Sequence, residues 1–182
     1  MGTAHTNQTN AQQRSQPPGV PLYTPEQRRR RDATKWTLVQ GILAPVQFLV
    51  FLCSVALIAR YVIYGVGLHA ATVSVVVKTL VLYVIMITGA IWEREVFGVY
   101  LFARAFFWED VFSFVVLALH TAYLVAVTYG WLGARGQVVL ALSAYLAYLV
   151  NATQFVLKLR AARLVQRSET SFGDGPALGV PT

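Results

Sequence analysis

Two adjacent carboxylates, Glu109 and Asp110, open an apolar stretch that carries a histidine, His120, near its middle. Ionisable groups inside a membrane span are costly, and they usually face the interior of a helix bundle, a cavity or a ligand. If the stretch is helical, Ser113 and His120 share a face with Glu109, whereas Asp110 is rotated by about 100°. This pattern predicts a polar stripe that could carry acid–base chemistry or bind a ligand within a membrane protein.

Four long apolar blocks are the elements that would position these residues. Of the 182 residues, 56% are hydrophobic and only 13% are charged, which excludes an ordinary soluble domain. Each block meets or approaches the roughly 20 apolar residues that a membrane-spanning helix needs. We therefore predict an all-α integral membrane protein, a bundle of four transmembrane helices at approximately residues 36–63, 71–91, 109–129 and 137–158.

The distribution of basic residues predicts the orientation of this bundle. Twelve lysines and arginines lie in the two terminal segments and the middle loop, whereas the first and third loops carry only Arg60 and Arg135. By the positive-inside rule, both termini and the middle loop are expected to be cytoplasmic. The basic run at residues 28–31 fits attraction to anionic lipid headgroups better than nucleic-acid binding.

Both ends of the chain have the composition of tails. Residues 1–20 are rich in Gln, Asn, Thr, Ser and Pro, and residues 166–182 show no periodicity. Such segments cannot bury enough apolar surface to fold. We expect disordered tails on either side of a membrane domain at residues 21–165. The one cysteine, Cys53, excludes an internal disulfide.

Further polar residues fall at the predicted depth of the two carboxylates. At about 1.5 Å per residue, four of them belong to the cytoplasmic third of the bundle: Gln40, Glu93, Asn151 and Gln154. His120 lies about 15 Å deeper, near the midplane, and Lys78 approaches that depth from the opposite side. The active face is therefore expected to open toward the cytoplasm.

Each of these residues also has a purely structural interpretation. The two carboxylates suit the positive end of a helix dipole. His120, Asn151 and Gln154 could form hydrogen bonds between helices. Lys78 could extend toward the far membrane surface, and Glu93 could be a solvated helix end.

Several separated motifs resemble, in order, those of the vinyl bacteriochlorophyllide hydratase family. They are PLYTPE at 21–26, RRRRDAT at 28–34, WTLVQGILAP at 36–45, VKTLVLY at 77–83, FFWEDVFS at 106–113, NATQF at 151–155 and LKLRAAR at 157–163. The resemblance covers about residues 21–165. It implies an integral membrane enzyme of bacteriochlorophyll biosynthesis, which adds water across the C3 vinyl group of chlorophyllide a or of its bacteriochlorin counterpart.

Hydration of a vinyl group needs a general acid, a positioned water and a base, but no organic or redox cofactor. Adjacent carboxylates in unequal environments could divide these duties. We expect Glu109 to be the proton donor and Asp110, closer to water, to be the base, although the reverse assignment stays open. Glu93 is a further catalytic candidate.

The implied substrate is a flat, apolar magnesium tetrapyrrole, which suits a pocket of aromatic and aliphatic side chains within a bundle. Residues expected to bind it are His120, Asn151, Gln154, Trp108, Ser113, Lys78 and Gln40. A neutral His120 could ligate the magnesium that the substrate carries, and the protein is expected to hold no metal of its own.

Two other classes of function compete with the hydratase. A pigment- or quinone-binding subunit without chemistry would use His120 as a ligand, and a proton-coupled transporter would relay protons through Lys78, His120 and Glu109. The sequence lacks the inverted repeats that are expected of such a transporter. Besides substrate, water and lipid, the expected partners are other enzymes of the pathway and further copies of the chain. Nucleic acid is not expected to be a partner. The expected location is a bacterial inner membrane, cytoplasmic or photosynthetic.

Overall fold

Five helices make up the described part of the chain. The computed structural model describes residues 22–173, with side chains as far as residue 164. Most of the tail predicted at residues 1–20, and the last residues of the tail predicted at 166–182, lie outside this range. The helices are α1 (Pro25–Ala33), α2 (Lys35–Tyr64), α3 (Leu68–Phe97), α4 (Phe107–Tyr129) and α5 (Ala134–Gly173).

Helices α2, α3, α4 and the part of α5 up to Leu164 are each long and apolar enough to cross a membrane. This confirms the all-α class and the existence of the four predicted spans, by length and composition. The predicted ends at residues 91 and 158 fall short of the ends at Phe97 and Gly173. The apolar blocks end where charged residues begin, but a helix can continue beyond the hydrocarbon core as a polar segment. As a result, Glu93 lies inside α3.

Hydropathy does not predict α1, because its sequence, PEQRRRRDA, is polar throughout. Its start is nevertheless marked by a reciprocal capping box. The Thr24 hydroxyl accepts a hydrogen bond from the backbone N–H of Gln27, and the Gln27 side chain accepts one from the Thr24 N–H. Pro25 occupies the first turn, where a backbone N–H has no partner within the helix, so the missing N–H of proline costs nothing there. This short helix packs against α3.

A three-residue turn joins α2 to α3 and makes the two helices an antiparallel hairpin. The turn begins and ends with Gly65 and Gly67, whose φ angles of 69° and 91° lie in the left-handed region that glycine adopts without strain. Polar contacts tie the two helices at three levels: Ser54 to Ser74 at 2.6 Å, Gln40 to Thr88 at 2.8 Å, and Trp92 to Thr37 at 2.9 Å.

Residues Tyr23–Leu157 form one compact unit. Its core contains Phe51, Val75, Leu82, Val116 and Tyr145. Large apolar side chains also cover the outside of the four long helices, as the exposure of Ile63, Leu80, Ile87, Val115 and Leu146 illustrates. An outer surface of this kind suits contact with lipid tails. From Lys158 onward, α5 is helical to Gly173 and belongs to a second unit.

Candidate active site

Two carboxyl groups from different helices meet at the end of the bundle that carries the α3–α4 loop. Glu93 of α3 and Asp110 of α4 are hydrogen-bonded through their side chains, and only 5% and 4% of their surfaces are exposed. A carboxylate has no donor of its own, so a hydrogen bond between two carboxyl groups requires a proton on one of them. Two like charges in a buried site also disfavour each other's ionisation. Carboxyl groups paired in this way can act as a proton donor and a proton acceptor toward a bound reactant.

The loop at residues 98–106 holds both members of this pair. The backbone N–H of Phe102 donates to Asp110 Oδ2 at 2.7 Å, and the N–H of Ala103 donates to Glu93 Oε2 at 3.3 Å. Phe102 has a φ of 60°, an uncommon left-handed conformation for a residue with a side chain. These consecutive donors orient one oxygen of each carboxyl group.

Glu109 is also buried, beside Asp110 in the first turn of α4. One turn further, Ser113 Oγ accepts a hydrogen bond of 2.8 Å from Asn151 Nδ2 of α5. The Asn151 Oδ1 atom and the Gln154 Oε1 atom are buried and have no hydrogen-bond partner among the described residues. The structure thus brings Ser113 and Asn151 into contact and leaves two buried acceptor oxygens on α5 near this end.

The exposure of the carboxylates corrects two expectations. Asp110 was expected to be the member nearer to water, but it is as buried as its neighbours, because its carboxylate turns inward to Glu93 and to the Phe102 N–H. Glu93 is not a solvated helix end, because α3 continues past it and the loop covers it. The pairing of Glu93 with Asp110, across helices, is the feature that sequence spacing along α4 does not reveal.

Aromatic side chains surround this end of the bundle in two groups. An interior group packs ring against ring, with the Phe106 ring 5.7–6.5 Å from four others: Tyr23, Trp92, Phe97 and Phe155. A second group lies on the outside. It includes Trp108, which is 67% exposed and has its ring 5.6 Å from that of Phe107. Trp108 therefore lies outside the bundle, where lipid or a ligand can reach it.

A second polar cluster lies in the middle of the bundle. Lys78 and His120 have no exposed surface. The Lys78 Nζ atom lies 3.6 Å from the centre of the Tyr148 ring and 5.9 Å from that of Tyr145. The His120 ring also packs against Tyr145, at 5.9 Å. Lys78 does not extend to the far surface, because the Tyr148 and Tyr145 rings hold its amine in the interior.

His120 has one ring nitrogen satisfied and one available. Its Nδ1 atom lies 2.8 Å from the backbone oxygen of Val116, so Nδ1 carries the hydrogen of the neutral ring. Its Nε2 atom and the Lys78 Nζ atom have no hydrogen-bond partner among the described residues. Tyr145 continues the cluster through a hydrogen bond to Ser54 of α2, 2.5 Å in length. Tyr145 and Tyr148 are residues of this cluster that the sequence pattern did not single out, since tyrosines in a span resemble interface residues.

The remaining predicted site residue, Gln40, is engaged in structure. Its amide nitrogen donates to Thr88 of α3 at 2.8 Å, and its side chain lies next to Gly89. No group of three His, Cys, Asp or Glu side chains able to hold a metal ion occurs within the described range.

Outside the spans, the segment before α2 has its own charge pattern. Arg31 lies over the ring of Tyr23 at 4.8 Å. Burial raises the pKa of Tyr23 above 10.0, although the nearby Arg31 opposes the shift. Hydrogen bonds from Arg29 and Arg30 lower the pKa of the exposed Glu26 carboxyl. The Tyr23 ring also packs against Phe97 and Phe106 of the interior aromatic group, at 5.8 and 6.5 Å.

Comparison with known proteins relates this arrangement to one family. The family model described as 2-vinyl bacteriochlorophyllide hydratase (BCHF) matches residues 23–161. A protein of that name from Rhodobacter capsulatus is 61% identical over 148 residues, which are 81% of this chain and 86% of the relative. One from Cereibacter sphaeroides is 63% identical over 143 residues, which are 79% and 89% of the respective chains. No solved structure matches. The matched region contains all four spans as far as residue 161, together with the carboxyl pair, and the chain belongs to the 2-vinyl bacteriochlorophyllide hydratase family.

Proposed function

We propose that this chain is a membrane hydro-lyase that adds water across the C3 vinyl group of chlorophyllide a, or of its bacteriochlorin counterpart, to give a 1-hydroxyethyl group in bacteriochlorophyll biosynthesis. Membership of the family supports the reaction. The observation that carries the proposed mechanism is the buried Glu93–Asp110 pair, in which two helices bring their carboxyl groups together.

The pair can perform both proton transfers of a hydration. Its protonated member donates to the terminal vinyl carbon, and the carbocation formed at the inner carbon is stabilised by conjugation with the macrocycle. Water attacks the inner carbon and loses a proton to the pair, which returns to its starting state. One water molecule is consumed, and no net proton is gained or lost. Positioned acid–base groups of this kind typically contribute about 10²–10⁴-fold in rate.

The attacking water needs acceptors and donors close to the pair. The Ser113 hydroxyl lies one turn along α4 from Glu109, and Asn151 of α5, which donates to that hydroxyl, has a buried Oδ1 atom without a hydrogen-bond partner among the described residues. In the proposal, Asn151 and Ser113 hold the water, with Gln154 as a further acceptor. Glu109 keeps the predicted role of an acid–base group beside the pair.

Ligation of the substrate magnesium by His120 is a separate hypothesis. The Nε2 lone pair of His120 is available. However, His120 lies about 15 Å along α4 from the carboxylates, farther than a vinyl group lies from the metal at the centre of one macrocycle. A single bound substrate therefore cannot use His120 as its magnesium ligand and the Glu93–Asp110 pair as its acid–base group at the same time. We favour the carboxyl pair.

We also propose that the active end of the bundle lies on the cytoplasmic side of a bacterial inner or photosynthetic membrane. The cation distribution supports this orientation, since twelve basic residues flank that end and both termini. The proposed enzyme uses water and the magnesium tetrapyrrole and needs no cofactor. We also propose that the enzyme contacts other enzymes of the pathway and further copies of the chain.

The test is to incubate membranes containing the chain with chlorophyllide a and to look by mass spectrometry for a product heavier by one water. We expect that product from the wild type, and we expect the Asp110→Asn variant to lose turnover while it still binds pigment. Glu95→Gln is the matched control, because Glu95 is an exposed carboxylate two residues from Glu93. Pigment binding without any hydrated product would overturn the hydratase in favour of a pigment-binding subunit.

A further inference from the structure

Four aromatic rings form an exposed surface next to the carboxyl pair. We call this surface the aromatic shelf, and it consists of Phe102 from the α3–α4 loop and Phe107, Trp108 and Phe114 from α4. Consecutive ring centres are 5.5–5.6 Å apart, and the rings of Phe102 and Phe114 are stacked within 11° of parallel. All four side chains are 40–67% exposed.

The shelf is connected to the proposed chemistry through one residue. The Phe102 ring belongs to the shelf, and the Phe102 N–H is the donor that holds Asp110 Oδ2 at 2.7 Å. A flat molecule bound on the Phe102 ring therefore contacts the residue whose backbone holds Asp110. The interior aromatic group behind the pair is packed ring on ring, so the open aromatic surface is on the outer side.

An ordinary belt of interfacial aromatic residues would not explain this surface. Such belts are built from Trp and Tyr, whose polar groups reach water, whereas three of the four shelf residues are Phe. The ring of Phe102 also reaches the shelf from a left-handed backbone conformation, at a φ of 60°. That conformation is uncommon for a residue with a side chain and is retained only where the surrounding contacts determine it.

The charges of the same loop complement one feature of the substrate. Arg104 is exposed and lies two residues after Phe102. A chlorophyllide differs from a chlorophyll in having a free propionate in place of a long-chain ester. It therefore presents a flat conjugated face together with a carboxylate at its rim, and the loop presents aromatic rings together with a guanidinium.

We propose that the aromatic shelf is the docking surface for the tetrapyrrole macrocycle, which approaches from the bilayer, and that Arg104 pairs with its propionate. This inference rests on the proposed function for the identity of the ligand. It assigns Phe102, Phe107 and Phe114 to substrate binding, in addition to Trp108, and it makes Phe102 a positioning residue because its N–H also orients Asp110.

The first test measures binding of the magnesium substrate to the chain in lipid nanodiscs, by absorbance titration. Phe102→Leu with Phe114→Leu keeps the surface apolar but removes two aromatic rings. An aromatic pair is worth about 2- to 10-fold in an equilibrium constant. We expect the double variant to raise Kd and KM by roughly tenfold or more. The matched control is Tyr129→Leu with Trp131→Leu, a stacked and exposed pair at 5.2 Å that lies at the opposite end of α4.

The second test uses the methyl ester of the substrate's propionate. We expect Arg104→Gln to weaken binding of the free acid by about two- to fivefold, the range of exposed ion pairs, and to leave binding of the ester unchanged. Arg60→Gln, an exposed arginine on α2, is the control. Equal loss for acid and ester would overturn the propionate contact.

The outcomes separate the docking surface from the reaction. If the wild type makes the hydrated product but the shelf variants bind as tightly as their controls, the shelf is overturned and the hydratase stands. If the wild type binds the pigment through the shelf but forms no product, the hydratase is overturned and the shelf stands.

Discussion

Replacing Asp110 by asparagine separates the chemistry of the carboxyl pair from its structural role. An asparagine side chain can still accept the 2.7 Å hydrogen bond from the Phe102 N–H, so the loop should keep its position. It cannot share or transfer a proton with Glu93. We expect turnover to fall by about 10²–10⁴-fold, which raises the barrier by about 3–5 kcal/mol. Substrate affinity and the melting temperature should stay near the wild-type values.

Replacing Asp110 by alanine gives the contrasting result. The part-buried Phe102 N–H then loses its acceptor, which costs about 0.5–1.5 kcal/mol of unfolding free energy, so stability should fall together with turnover. Both variants would be compared in nanodiscs, by product formation and by thermal unfolding, with Glu95→Gln as the exposed carboxylate control. An asparagine variant with wild-type turnover, at normal membrane abundance, would remove Asp110 from the reaction and refute the carboxyl-pair mechanism.

Three further results are expected. His120→Ala should change the binding of the magnesium substrate and of its metal-free analogue by the same factor, because His120 is too far from the carboxyl pair to ligate the metal of a reacting substrate. A selective loss of binding of the magnesium form, measured by titration, would show that His120 is a magnesium ligand. Because the pKa of Tyr23 is raised above 10.0, the folded state holds this proton more tightly than the unfolded chain; the associated stability is complete below about pH 10 and declines as the pH rises through the folded-state value. Tyr23→Phe should reduce that alkaline loss in thermal unfolding at about pH 9–11. In a background without Cys53, single cysteines at Val66 and Gly133 should react with an impermeant reagent from the side opposite the termini; protection there would reverse the proposed orientation.

The spans could be predicted from the sequence because lipid imposes one simple requirement, a long apolar helix. The ends of those helices could not. Hydropathy ends α3 at residue 91, before Glu93, whereas the helix continues to Phe97 and turns this carboxylate into the bundle. The capping box of α1 is readable from Thr24 and Gln27 once it is sought, but a polar nine-residue helix carries no hydropathy signal.

For the candidate site, the sequence predicts only the depth of its residues in the membrane. The sequence places Glu93, Glu109 and Asp110 near one membrane face. It does not predict that Glu93 and Asp110 meet, because their contact depends on how α3 and α4 rotate against each other and on a loop residue with positive φ. Helical periodicity along α4 favoured Glu109 as the inward carboxylate. In the structure Asp110 also turns inward, since the Phe102 N–H and Glu93 give it partners there.

The burial of Lys78 has a consequence for the order in which the protein is assembled. A lysine at the centre of a span costs about 2.5–3.5 kcal/mol when a helix enters the membrane by itself. The tyrosine ring nearest to its amine, that of Tyr148, belongs to α5, which is synthesised last. The polar contacts that α3 makes with α2, including Ser54 to Ser74, are available earlier. We therefore expect the α2–α3 hairpin to insert as a pair that remains incompletely packed around Lys78, and the arrival of α5 to be the step that commits the bundle to its final form.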